Sequence, residues 1–273
     1  MATTLTHLSQ SSLQDYTDCP RRFQLRYMDR LAYPAEESEP ALENERHMQE
    51  GEYFHRLVQQ HLLGVPVERL SGLANTANLA RWWANFSNDT ALLGLFGTPG
   101  LRTYSETTLS APLGSLRLLA KYDLIAANPD GKLIIYDWKT YRKRPRNDWL
   151  AARLQTRVYR ALVAKAGDHL NGDRPILAEQ IEMVYWFADF PSEPARFPYN
   201  ANQFRRDWDG LVTLAAEISS AREFPLTEDV SRCRFCPYRS YCDRGVRAGE
   251  GEYLDAEPAL EELTLEQIQE IEF

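Results

Sequence analysis

The chain has 273 residues, 44% of them hydrophobic and 26% charged, enough for one large domain with a true core. No apolar run approaches the roughly 20 residues needed to cross a bilayer. Met1 to Gln10 has neither a basic start nor an apolar stretch, so no signal peptide is expected and the location reads as cytoplasmic. The net charge of −8 is unevenly placed: nine acidic and no basic residues fall between Ala248 and Phe273, and without those nine the rest of the chain carries +1. The charge therefore does not exclude a nucleic-acid substrate, and residues 248–273 read as an acidic tail on a single domain spanning 1–247.

In chain order, Ser11 to Met28 reads as helical with an interruption at Pro20, which cannot sit inside a helix without loss. Tyr33 to Glu43 is Pro- and Glu-rich and reads as a loop. Glu45 to Leu63 predicts a helix, with Phe54, Leu57, Val58 and Leu62 at helical spacing. Asn75 to Asn88 predicts another. Between Leu101 and Lys139 the pattern changes to β-branched, alternating stretches broken by Pro and Gly, which predict strands. Asp148 to Ala166 predicts one helix, Gln180 to Phe187 a strand and Asn202 to Arg222 a helix. Glu223 to Arg247 is a Cys-containing segment, and Thr264 with Gln267 suggests the capped start of a short terminal helix.

The chemistry concentrates on one predicted hairpin. Asn128-Pro129-Asp130-Gly131 fits a type I turn position by position, and a left-handed Gly closing it makes a three-residue loop with a bulge. Asn128 then faces Lys132, and counting back sets Asp123 opposite Asp137. Facing Cβ atoms stand about 5 Å apart. Two carboxylates that close repel unless a cation sits between them, and hard oxygen donors suit Mg2+ or Mn2+. Lys139, two residues beyond Asp137, shares its face. Two carboxylates and an ammonium suit phosphodiester hydrolysis, in which a metal orients the phosphate and activates water. The opposite face of the strand carries Ile134, Tyr136 and Trp138. Glu106, upstream, is a candidate for an additional acid, and His61 lies on an apolar stripe that suits packing.

The four cysteines are Cys19, Cys233, Cys236 and Cys242. In a cytosolic chain this pattern favours metal over disulfides, and four thiolates accept either zinc or a four-iron four-sulfur cluster. Basic residues from Arg142 to Arg146 follow the active strand and suit phosphate contact, with Phe235, Tyr238 and Tyr241 as candidate base-stacking aromatics.

Asp123, then Asp137-Trp138-Lys139-Thr140, then Gln155-Thr156-Arg157-Val158-Tyr159 resembles the RecB-like branch of the PD-(D/E)XK nucleases, with His55 in Gly51-Glu52-Tyr53-Phe54-His55 matching its upstream helical His. Tyr122 stands where the motif has Pro. Cys19-Pro20-Arg21-Arg22-Phe23 near the start and Cys233-x2-Cys236-Pro237 near the end resemble the iron–sulfur clamp of AddB-type and CRISPR-associated RecB-like nucleases. The resemblance implies an α/β restriction-endonuclease-like core at about 100–190, a mixed sheet flanked by helices, with the two ends of the domain closed by a 4Fe-4S cluster. It implies that His55, Asp123, Asp137 and the carbonyl of Trp138 bind Mg2+ or Mn2+, that Lys139 assists the nucleophile, and that Gln155 and Tyr159 contact the active site or the DNA strand.

No G-x-x-x-x-G-K-[ST] loop is present, so any motor is a separate protein. The expected activity is a metal-dependent exonuclease on single-stranded DNA or DNA ends in repair or recombination. A CRISPR spacer-processing nuclease and a non-catalytic DNA-binding scaffold are the competing readings. For the tail, two roles stand open: docking a partner through Leu265, Ile268 and Ile271, or covering a DNA channel.

Overall fold

The computed structural model describes residues 5–32, 39–234 and 236–245, with the side chains of 39–44 excepted. Phe235, the acidic tail and its expected terminal helix lie outside the described residues. The elements are β1 (His7–Ser9), α1 (Gln10–Asp18), α2 (Pro20–Phe23), α3 (Glu39–Leu62), α4 (Val67–Ser71), α5 (Ala77–Ser87) and α6 (Thr90–Phe96). They continue with β2 (Arg102–Leu113), β3 (Leu116–Ala127), β4 (Leu133–Lys139), α7 (Asn147–Ala152), α8 (Leu154–Ala166), β5 (Ile181–Phe187), β6 (Ala195–Pro198) and α9 (Ala201–Ser220). Among the described residues no helix is long and apolar enough to cross a membrane.

The strands form one mixed sheet in the order β1-β3-β4-β5-β6, with β2 on the other edge of β3. One edge of β3 is shared. Short β1 pairs with it in parallel at Arg117 to Leu119, while β4 pairs antiparallel at Leu124 to Ala127. Between them, residues 120–123 of β3 have neither strand beside them, and the sheet forks. The hairpin has the expected geometry: Gly131 donates to the Asn128 carbonyl at 2.9 Å, Asn128 donates to Lys132 at 2.8 Å, and Gly131 sits at φ +88°. The pairs Leu124↔Tyr136 to Ala127↔Leu133 carry the predicted register. The ladder stops one pair short of Asp123 and Asp137, because the strands separate at the fork.

Each face of the sheet has its own core. Leu133, Ile135, Met183 and Tyr185 pack with α1, α8 and α9, whereas Ile134, Tyr136, Trp138 and Trp186 pack with Phe54 and Val58 of α3 and Trp82 and Phe86 of α5. Along β3 the alternation breaks at Asp123. Leu118, Ala120 and Tyr122 join the α8 side, then Leu124 and Ala126 join the α3 side. Glu106, the β2 residue facing Asp123, has φ +52°. Left-handed backbone costs a non-glycine residue about 1–2 kcal/mol, so strain coincides with the switch.

Several boundaries depart from the sequence reading. Residues 39–43 belong to α3 rather than to a loop. The expected helix from Asp148 to Ala166 is two helices, broken at Arg153, whose ψ of 143° is extended. At this break the Thr156 hydroxyl binds the Leu150 carbonyl at 2.5 Å, and the Arg153 guanidinium lies over the Trp149 ring. The sheet also reaches beyond 100–190, taking in β1 and β6. Helices α4 and α6 were not anticipated; Asp89 caps α6 with its side chain.

Candidate active site

Asp123 lies at the fork and Asp137 near the end of β4. The Asp123 carboxylate does what a neighbouring strand would otherwise do: its Oδ2 accepts the Trp138 N–H at 2.8 Å. Its Oδ1 lies 3.3 Å from Nδ1 of His55, which α3 brings in from one side of the sheet. Asp137 is approached from the other side. Its Oδ1 accepts from the Gln155 amide at 2.9 Å and its Oδ2 lies 2.9 Å from the Lys139 ammonium. Asp137 and Lys139 are only 2% and 8% exposed. Lys139 also stands over the rings of Tyr141 and Tyr185, an apolar wall favourable to a cation.

The electrostatics follow from this grouping. For His55, burial opposes the charged form, but the charge of Asp123 and its hydrogen bond win, and the pKa rises above its ordinary value. For Asp123, burial acts upward, while His55, the Trp138 N–H and Lys139 hold the carboxyl below the ordinary carboxylate value. Asp137 and Lys139 both act on His55. Four groups from three distant stretches of sequence therefore share one field.

The break at Arg153 sets Gln155 in the first turn of α8. Its Oε1 accepts from the Tyr185 hydroxyl at 3.1 Å, which in turn shares a 2.7 Å hydrogen bond with Thr156. Gln155 is thereby oriented from β5 as well as α8. Tyr159, one turn on, donates its hydroxyl to the Lys121 carbonyl at 2.8 Å and accepts from Gln10 at 3.3 Å. It braces the stretch of β3 that neither β1 nor β4 covers.

Sequence reasoning missed His47. Its Nε2 meets the Thr140 carbonyl at 2.8 Å, at the end of the active strand. The available signal was its spacing, two turns before His55 on the same helical face. Glu106 pairs with Lys121 at 2.6 Å. His61 lies edge-on to Trp83 and Phe86, in keeping with packing. Of the basic cluster, Arg144 is engaged by Glu193 and Asn147 and lies over Phe187, while Arg146 pairs with Asp148 at the surface.

The cysteines gather where the two ends of the domain meet. All four are free thiols, with Cys19 and Cys236 buried. Burial pushes the Cys236 thiol up to about 11, and Cys19 and Cys233 add to the effect on both Cys236 and Cys242. Around them, Asp18 at the end of α1 binds Arg22 at 2.9 Å and also Arg232 of the Cys segment. Tyr238 is buried and donates to the Leu31 carbonyl at 3.0 Å, whereas Tyr241 is exposed. Among the described residues no three His, Cys, Asp or Glu side chains stand at mutual metal-ligand spacing. The donor chemistry nonetheless fits both implied groups. At the fork, His55 and Lys139 rest against carboxylates that a hard cation would bind. At the other centre, Cys19 and Cys233 lie near enough to Cys236 and Cys242 to act on both.

A mixed sheet with helices on both faces and an Asp, Asp-x-Lys set at the forked strand ends defines a restriction-endonuclease-like architecture. The family model for the PD-(D/E)XK nuclease superfamily matches residues 7–243, and the chain belongs to that superfamily. Its members are nucleases that typically use divalent metals such as Mg2+ or Mn2+. No curated protein matches. Among solved structures, a protein from Eubacterium rectale provisionally named an exonuclease is similar at TM-score 0.51 and 9% identity, covering 90% of this chain and 91% of that one; this likeness shows the fold alone. The protein SSO0001 aligns over 90% of each chain at 14% identity, with a TM-score of 0.43 that is too low to argue from.

Proposed function

We propose that this chain is a metal-dependent deoxyribonuclease acting on single-stranded DNA or DNA ends. The observation that carries the proposal is the convergence of Asp123, Asp137, Lys139 and His55 at the fork. In this reading His55, Asp123, Asp137 and the Trp138 carbonyl hold Mg2+ or Mn2+. When bound, the cation orients the phosphodiester and lowers the pKa of a water molecule. The chain's own groups do the rest. Gln155 fixes the rotamer of Asp137 through a charge-assisted hydrogen bond. Lys139, held against an aromatic wall, keeps a positive charge where negative charge develops on the phosphate. Tyr159 holds the open edge of β3 in place.

The four cysteines hold a structural 4Fe-4S cluster in this proposal. Support comes from the geometry that brings Cys19 beside the Cys233–Cys242 segment, where Asp18 binds Arg232; ligation would release the thiol protons. Anaerobic purification with iron and zinc analysis tests this, and one zinc per chain with no iron sinks it. The nuclease either stands alone or works beside a separate helicase or recombination protein. Spacer processing uses the same residues and differs only in the partner.

The catalytic reading is tested with Lys139→Ala and Asp137→Ala on end-labelled and circular single strands with Mn2+. The expected result is cleavage of the end-labelled strand by wild type alone. Equal cleavage by all three proteins, or by none, removes the basis for an enzyme and leaves the DNA-binding scaffold.

A further inference from the structure

We propose that His47 is a positioning residue for Lys139, acting through the backbone of Thr140. Three residues of α3 spaced four apart face the site, one meeting Asp123 on β3 and two meeting Thr140 just past the end of β4, and that spacing stacks side chains on one helical face. His55 reaches Asp123 at 3.3 Å. Gly51, one turn earlier, lies against Thr140 so closely that a Cβ there would stand 2.9 Å from the Thr140 hydroxyl. One turn earlier again, His47 Nε2 lies 2.8 Å from the Thr140 carbonyl.

A carbonyl oxygen only accepts, so His47 must carry its proton on Nε2. The other ring nitrogen, Nδ1, is buried and has no hydrogen-bond partner among the described residues. The ring is held edge-on to Trp82, with centroids 5.3 Å apart at 84°. This packing fixes the direction of the N–H.

The bond matters because of where β4 ends. Along Leu133 to Lys139 the strand is held by full parallel pairing with β5, and the Lys139 carbonyl accepts from Ala188 at 2.8 Å. On its other side, β4 loses β3 after Tyr136. Trp138 is then secured by the Asp123 carboxylate and Thr140 by His47. Remove His47, and the Thr140 carbonyl, one peptide beyond the Lys139 carbonyl that Ala188 holds, loses its hydrogen bond to α3. Lys139 must meet the Asp137 carboxylate and a phosphate at fixed distances, and misplacement of about 1 Å is enough to cost on the order of 10²-fold in rate.

The proposal rests on the nuclease reading for its kinetic consequence but not for its structural one, so two readouts are used on the full-length protein. The first is amide hydrogen exchange of residues 138–141, followed by mass spectrometry in EDTA. Exchange should be at least about tenfold faster in His47→Ala and return to near wild type in His47→Gln, whose amide keeps a donor at similar reach. The second is Mn2+-dependent cleavage. His47→Ala should lose about 10- to 100-fold in kcat with KM within twofold, and His47→Gln should recover most of it. Unchanged exchange in His47→Ala overturns the proposal, whatever the activity. So does equal impairment of both variants, since the ring would then act by packing alone. If wild type does not cleave DNA at all while exchange responds as expected, the nuclease reading fails and the positioning contact stands. Should His47→Ala not fold, His47→Leu, which keeps the packing without the donor, is compared with His47→Gln on the same two readouts.

Discussion

Replacing Gln155 with Leu keeps most of the side-chain volume and deletes two polar contacts. Asp137 Oδ1 loses its donor at 2.9 Å, and the Tyr185 hydroxyl loses its acceptor at 3.1 Å. Gln155 is only 5% exposed, so bulk water does not readily take its place. A hydrogen bond to a charged group contributes about 1.5–3 kcal/mol, and the second lost bond adds to the loss. The expected destabilisation is about 2–4 kcal/mol, a fall of roughly 5–12 °C in Tm for a domain of this size. Urea unfolding followed by tryptophan fluorescence in EDTA measures the change without interference from metal. A double-mutant cycle with Tyr185→Phe should return a coupling of about 1 kcal/mol. A loss below about 0.5 kcal/mol in Gln155→Leu would refute the claim that Gln155 orients Asp137.

In the metal-free protein the His55–Asp123 pair sets a pH window. The His55 pKa is raised from 6.5, so its contribution is complete below that value and disappears as pH rises through the higher folded value. Asp123 is lowered from 3.8, so its contribution is complete above that value and is lost as pH falls through the lower folded value. Stability in EDTA should decline as pH rises above 6.5, and His55→Ala should flatten that decline; a pH-independent difference between the two proteins would count against the pair. Cys19→Ser should abolish visible absorption and iron content together, and loosen the Cys segment to limited proteolysis; retained iron would exclude Cys19 as a ligand. Gly131→Ala should cost about 1–2 kcal/mol, because φ is +88° and the new Cβ would meet the Gln180 amide at 2.9 Å. An unchanged urea midpoint would mean that the turn relaxes freely.

The hairpin was legible because its information is local. Asn128 to Gly131 fixes a turn, the turn fixes a register, and the register runs from Ala127↔Leu133 to Leu124↔Tyr136 as counted. The split at Arg153 was not legible, because periodicity continues through it and the cause is the Thr156 hydroxyl taking the Leu150 carbonyl. Residues 39–43 read as a loop because Pro40 and the neighbouring glutamates carry no apolar helical periodicity. His47 escaped notice because its spacing from His55 gives a shared helical face but not its partner, a backbone carbonyl 93 residues away.

The sequence alone determined the local units: which strands bear carboxylates, which turn joins them and which helical face is apolar. Only the tertiary structure decided how they meet. β1 and β4 share one edge of β3 and leave residues 120–123 between them, so Asp123 turns its carboxylate to the Trp138 N–H and to His55. That arrangement depends on competition for backbone hydrogen bonds among segments more than a hundred residues apart. A buried N–H or C=O must be satisfied by whatever lies beside it, and sequence periodicity does not record which segment that is.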